Sequence, residues 1–445
     1  MQDRVKKIIL NNHLRAWSFI ICLIAIVGAM TVSAQRRPRP ATKQPAKASP
    51  TPQPPQLQSW LQWGGPNRNF KVTAEGLKDS WPADGPRRLW GRALGQGHSA
   101  ILFDNGRLYT SYSNGDRETI ISLDAATGKT LWEFPYEART AGLNLGEGNG
   151  PHSTPLIVGN TIYAVGVMGT MHALDKMNGR MLWKRDLWSE LKGYLDDRGY
   201  SPSPIAYKNT VIVPVGGGSG QCLIAFDQRT GNIVWKNLNF TPAPASPILI
   251  DVSGQEQLIG FGTNEIFGAD PNNGNLLWSH PHKTDYGLNI STPVWGPDNL
   301  LFMSSSYGTG SRVLELKRDG NQTSVRQVWA DKRMRVHIGT VVRIGDLAYG
   351  SSGEGPAFFT AVNVKSGQIA WQERGLARAS FVNADDKLII LDEDGTLALA
   401  KPMMNSLNIL SKTSVMQNIA WTVPTLVGTK LFLRDRRAIM ALDLG

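Results

Sequence analysis

Cysteine is almost missing from this chain: Cys22 and Cys222 are its two cysteines in 445 residues. Cys22 falls in the apolar stretch near the N-terminus, and Phe19-Ile20-Ile21 before it lack the small side chains that precede a lipidated cysteine. A disulfide framework is therefore excluded once that stretch is removed, and packing has to supply the stability. Histidine is sparse too. His98, His152, His172, His280, His282 and His337 are scattered without metal-ligand spacing, and His280 and His282 are too isolated for a structural zinc, so no metal site is expected. The glycine-rich stretches Gly146–Gly150 and Gly216–Gly220 lack the Lys-Ser/Thr ending and the following helical pattern of a phosphate loop, and read as loops between strands.

The net charge of +11 is unevenly placed. Residues 1–58 carry Arg4, Lys6, Lys7, Arg15, Arg36, Arg37, Arg39, Lys43 and Lys47 against Asp3, which is +8 of the total. The remaining +3 is an ordinary mixed surface, and no nucleic-acid partner is expected. Lys6, Lys7 and Arg15 precede an apolar run from Trp17 to Val32, and Val32-Ser33-Ala34 offers a signal-peptidase site before Gln35. Residues 1–34 thus read as a signal peptide, with an uncleaved membrane anchor as the other reading. Residues 35–58, rich in Pro, Gln, Ala and Lys, read as a disordered tether. The protein is expected to be exported to the periplasm or cell envelope, touching a membrane only through an uncleaved N-terminus.

What the sequence has in abundance is a repeat. Asp124-x3-Gly128-x3-Trp132 recurs at Asp175/Gly179/Trp183, Asp227/Gly231/Trp235 and Asp270/Gly274/Trp278, with Asn363/Gly367/Trp371 as a fifth copy. Each copy follows alternating segments such as Thr161-Ile-Tyr-Ala-Val165, the pattern of strands and not of a helical solenoid. The Asp or Asn suits a strand end where it caps turn amides. The Gly supplies a positive φ, and the Trp falls on an outer strand where it can wedge between sheets. The spacing fits one four-stranded propeller blade per repeat. Leu314 to Trp329 reads as a copy with Lys317 at the Asp position. Leu388 to Leu410 reads as a blade with Leu399-Ala400 there. Inner strands carry a small residue before proline, as at Thr154-Pro155, Ser203-Pro204, Ser246-Pro247 and Thr292-Pro293, with Val423-Pro424 as a variant.

The chain ends at Ala441-Leu-Asp-Leu-Gly445 without a following tryptophan, whereas Arg88–Leu94 carries Trp90 ahead of the first complete repeat. Trp90 is therefore expected to complete the last blade. Outer strands at Trp90, Trp132, Trp183, Trp235, Trp278, Trp329, Trp371 and near Leu410 give an all-β, eight-bladed propeller of four-stranded antiparallel blades over residues 86–445. Residues 59–85 form an extension packed on it.

The segment Ser122-Leu-Asp-Ala-Ala-Thr-Gly-Lys-Thr-Leu-Trp132 closely resembles the tryptophan-docking repeat of pyrroloquinoline quinone (PQQ) propellers, over roughly residues 86–445. Trp60-Leu-Gln-Trp-Gly-Gly-Pro-Asn-Arg-Asn69 resembles the opening of secreted PQQ-like repeat proteins. The resemblance implies the propeller fold. It spans quinone-bearing dehydrogenases and a non-enzymatic lipoprotein of outer-membrane β-barrel assembly. The adjacent cysteines that typically cover the quinone are absent, and no calcium-binding carboxylates or catalytic Asp match a local motif, so no catalytic residue and no cofactor is assigned. PQQ with calcium belongs to the alternative reading.

Segments leading into the inner strands should bring His98, Asn149, His152, Arg198, Tyr200, Asn289, His337, Arg378 and Trp421 to one end of the ring. This polar and aromatic rim suits a small polar ligand or an envelope protein. Lys332-Arg-Met-Arg-Val-His337, if a strand, would put Arg333, Arg335 and His337 on one face. The expectation is a monomeric, non-catalytic binding or assembly platform, with a PQQ-dependent alcohol or sugar dehydrogenase as the alternative.

Overall fold

Alternation in the sequence becomes two kinds of strand. Middle strands such as Thr161–Val165 and Leu388–Leu391 (the apolar end of Lys387–Leu391) are buried almost throughout, because a neighbouring sheet covers each of their faces. Outer strands such as Thr130–Glu137 bury Trp132 and leave most other positions exposed or half-buried. The structure, a computed structural model, describes residues 58–146 and 148–445. The expected signal peptide, and the expected tether up to residue 57, lie outside the described residues.

Eight antiparallel sheets of four strands form the blades, and no helix occurs among the described residues. Blade one is Leu102–Asp104, Arg107–Asn114, Arg117–Asp124 and Thr130–Glu137. Blades two to seven follow at 156–186, 205–237, 248–281, 294–331, 336–374 and 380–414. Blade eight joins Thr425–Val427, Lys430–Arg434 and Ala438–Asp443 to Arg87–Ala93 as its outer strand. Arg87 pairs with Asp443 and Trp90 with Ala441, so the ring closes through the N-terminal strand. Arg434 reinforces the seam: it is fully buried and donates to Ser99 O (3.2 Å), Thr110 Oγ1 (3.0 Å) and Ser111 O (2.7 Å) beside blade one.

The repeat is a docking device between blades. Asp124 Oδ1 accepts the Thr127 amide at 2.8 Å, and Asn363 Oδ1 accepts Lys365 and Ser366 in the same way. Gly128 sits at φ 68° with Trp90 against it: a Cβ there would lie 2.6 Å from the indole, and Gly179, Gly231 and Gly367 meet Trp132, Trp183 and Trp329 alike. Each indole N–H then finds the next blade's turn. Trp132 donates to Lys176 O (3.0 Å), Trp183 to Gln228 O (3.0 Å) and Trp329 to Val364 O (2.7 Å). Trp278 faces blade five, which lacks the motif, and donates within its own sheet to buried Gln257 Oε1 at 2.8 Å.

Pairing registers correct two assignments. Trp132 pairs with Ser122, two residues before Asp124, and Trp329 pairs with Val313. The Asp position of blade five is therefore Glu315, not Lys317; Glu315 pairs with Lys317 (3.1 Å) and Arg326 (2.8 Å). In blade seven Leu399 pairs with Ser411, which puts Ser411 at the docking position and Lys401, not Leu399-Ala400, at the Asp position. The missing tryptophan is offset by the extension. Trp81 N–H donates to Ser411 Oγ at 2.9 Å, and its indole packs against the main core.

The stretch 332–337 is not one strand. Lys332 to Arg335 is irregular and the strand begins at Val336. Arg333 pairs with Asp331, Arg335 with Glu354, and His337 turns to Tyr307, so the three side chains are not one basic face.

Candidate functional site

Residues 60–72 lie on the ring axis, which follows from their partners. Trp60 exchanges backbone bonds with Phe103 of blade one, and Leu61 O accepts Ile157 of blade two. Arg68 donates to Pro204 O of blade three and to Pro247 O of blade four at 2.8 Å. Trp63 Nε1 donates to Thr292 Oγ1 of blade five at 2.8 Å. Lys71–Val72 runs parallel to Ser380–Ala384 of blade seven. A segment bonded beside the innermost strands of six blades plugs the channel. Gly64 and Gly65 turn it, at φ 74° and 77°, where Trp60 and Arg68 leave no room for a Cβ.

Above the plug lies a cavity of about 360 Å³ whose wall includes Trp63 and Phe70, packed edge to face at 5.3 Å. Its sides include Ser203, Ser246 and Thr292, each just before an inner strand, and Thr340 within one. The small residue before proline thus has a second use as a hydroxyl stitch: Ser203 Oγ accepts the Thr154 amide (3.0 Å) and Ser246 Oγ the Ser203 amide (2.9 Å), each from the preceding blade.

Of the nine rim residues expected from sequence, His98, His152, Arg198, His337 and Trp421 line this cavity. His98 lies over Trp421, with ring centroids 5.0 Å apart. His152 Nδ1 is 3.0 Å from Ser201 Oγ and its Nε2 meets Gly148 O, so the proton sits on Nε2; burial lowers its pKa. His337 accepts at Nδ1 from Arg378 Nε (3.2 Å) and therefore donates from Nε2 to the Tyr307 hydroxyl. Burial first, and Arg378 second, hold its pKa down at about 4, so it is neutral. Arg198 stands at the wall paired with Asp197 at 2.6 Å.

The other four stand off the wall. Asn289 is fully buried, its amide spent on Gly262 O (3.0 Å) and His282 O (3.2 Å). Tyr200 is buried behind Ser201. Arg378 sits behind His337, ion-paired with Glu393 at 2.8 Å. Asn149 is half-buried between wall residues Gly148 and His152 without reaching the wall. Polarity in a loop marked these four, but the Asn289 and Arg378 side chains are spent on neighbouring protein groups.

Sequence reasoning missed Trp63, Phe70, Arg68 and Tyr307. Two aromatics around Gly64-Gly65-Pro66 were a signal that an extension of low regular propensity was buried. Arg68 is buried with three neutral acceptors, Gln62 Oε1 (2.9 Å) and the two proline carbonyls, and burial lowers its pKa to about 9.

A calcium-held quinone needs carboxylates facing the cavity. No Asp or Glu is among the described wall residues, and no group of three His, Cys, Asp or Glu among the described residues could hold a metal. The nearby Glu354 and Glu393 are engaged by Arg335 and Arg378. Cys222 is buried at the start of a middle strand in blade three, with no adjacent cysteine. The described residues do not fit calcium-bound PQQ.

The family described as outer membrane protein assembly factor BamB matches residues 80–218 and 116–373. The chain belongs to this family of PQQ-type propellers. BamB of Yersinia pestis is 27% identical over 354 residues, spanning 74% of this chain and 80% of that protein. The dehydrogenase subunit of a quinone alcohol dehydrogenase from Gluconobacter oxydans is 26% identical over 311 residues, spanning 62% and 37%. The chain spans no more than 41% of the first curated dehydrogenases that it matches. The quinohemoprotein alcohol dehydrogenase of Comamonas testosteroni shares the fold with a TM-score of 0.60 at 12% identity, covering 87% of this chain and 81% of that one.

Proposed function

We propose that this propeller is an exported, non-catalytic binding platform of the cell envelope, whose funnel receives a ligand or a segment of a partner protein. The observation that carries this reading is the sealed funnel: the chain's own Trp63 and Phe70 stand in the cavity wall, and the described wall residues include no carboxylate for metal-assisted oxidation. The match to the BamB family along residues 80–373, and to a BamB over most of both chains, supports it. The alternative, a quinone-dependent dehydrogenase, is supported by relatives such as the Gluconobacter oxydans subunit and by aromatic surfaces able to stack on a flat cofactor.

Adding PQQ and calcium to the purified protein separates the two. The platform reading expects no stoichiometric quinone absorbance and no dye-linked oxidation of alcohols or sugars. Stoichiometric binding with turnover would overturn it. Capture of an envelope protein, lost on changing His98 and Trp421 together, is the expected positive result.

A further inference from the structure

The charge of the cavity is set from beneath. Arg68 bonds the carbonyls of Pro204 and Pro247, each one residue deeper along its strand than the wall residues Ser203 and Ser246. Among the described residues it has no acidic partner: its acceptors are two peptide carbonyls and the Gln62 amide. A full positive charge therefore lies under the wall in a low-dielectric channel, where its field is poorly screened. Three other cations around the cavity are compensated, Arg198 by Asp197, Arg335 by Glu354 and Arg378 by Glu393.

Tyr307 supplies direction. Its oxygen accepts the His337 Nε2 proton, since Nδ1 is held as an acceptor by Arg378. The hydroxyl proton of Tyr307 is thus left to donate, and Tyr307 lines the cavity. Flat apolar surface surrounds these donors, from Trp63, Phe70 and Trp421, with Tyr286 standing edge-on to Tyr307 at 5.2 Å on the outside.

We infer that the funnel selects a carboxylate carried beside a flat apolar group. This chemistry is shared by a free aryl acid and by a peptide ending in an aromatic residue. The inference rests on the reading of the funnel as a binding site.

The test uses calorimetry on the whole protein with 3-phenylpropanoate and 3-phenylpropanamide, and with a short peptide ending in phenylalanine as free acid or as amide. Each acid should bind at least tenfold more tightly than its amide, with the gap narrowing as salt is raised. A stronger peptide acid identifies a protein terminus as the source, and a stronger small acid identifies a metabolite. Tyr307→Phe should weaken the acids three- to tenfold and leave the amides unchanged. Arg68→Met should abolish the preference; if that variant does not fold, Tyr307→Phe and the salt dependence carry the test. Equal binding of acid and amide, or an acid preference that is intact in Tyr307→Phe and unmoved by salt, would overturn the inference. Quinone turnover would sink the platform reading and leave this charge selectivity measurable on its own.

Discussion

Between blades one and two, the side chain of Glu118 is buried with no cation bonded to it among the described residues. Tyr136 donates to its Oε2 at 2.7 Å, the Val167 amide reaches both oxygens at 3.2 Å, and Gly166 makes the space, since a Cβ there would lie 2.2 Å from Oε2. Burial outweighs those donors and raises the Glu118 pKa to about 7. A carboxyl raised above its ordinary value favours the proton in the folded state. Its contribution is full below about pH 4.5 and is lost as pH rises through about 7. The neighbouring His172, with its pKa lowered by burial to about 4, works the other way and loses stability as pH falls from its ordinary 6.5. Comparison with Glu118→Gln isolates the carboxyl. Between pH 5 and pH 8 the wild type should lose on the order of 2 kcal/mol relative to the variant. Urea midpoints of both proteins across that range check it, and a constant difference would contradict the buried-acid argument.

At the scale of elements, the outer strand is where one blade is fastened to the next, and the ring depends on Arg87–Ala93 arriving from the far end of the chain. Deleting residues 85–94 removes that ladder, Trp90 on Gly128, and the Arg87–Asp443 pair at 2.5 Å. At about 1 kcal/mol per ladder bond the loss should exceed about 5 kcal/mol, and the exposed edge should make the protein associate. A thermal scan with light scattering reads both; an unchanged midpoint would show that the ring does not need this strand. The motif turns and this closure were legible in the sequence because their residues do one job each: Asp caps, Gly turns, Trp docks. Blades five and seven were misread by one or two residues because Glu315 and Ser411 carry no motif and only the pairing register identifies them. The site was half legible. Histidines and a tryptophan before inner strands point to the funnel, but which loop side chains turn inward depends on packing, as buried Asn289 and Arg378 behind His337 show.

The whole molecule is a ring held at its rim by strand exchange and at its centre by the chain's own residues 60–72. These two fastenings are separable. A chain starting at residue 86 keeps Arg87–Ala93 and should still close, but it loses fully buried Trp60 and Phe70, half-buried Trp63 and the Arg68 bonds across blades three and four. Burial of each large aromatic contributes about 1.5–3 kcal/mol, so the truncated ring should be about 5 kcal/mol less stable. The plug touches blades that are not neighbours, so the full chain should unfold in one transition. The truncated ring, held by nearest-neighbour contacts alone, should unfold over a broader range. Urea titrations followed by tryptophan fluorescence and by circular dichroism decide the matter: coincident, equally steep curves at the same midpoint for both chains would mean that the segment fills the channel without holding the ring.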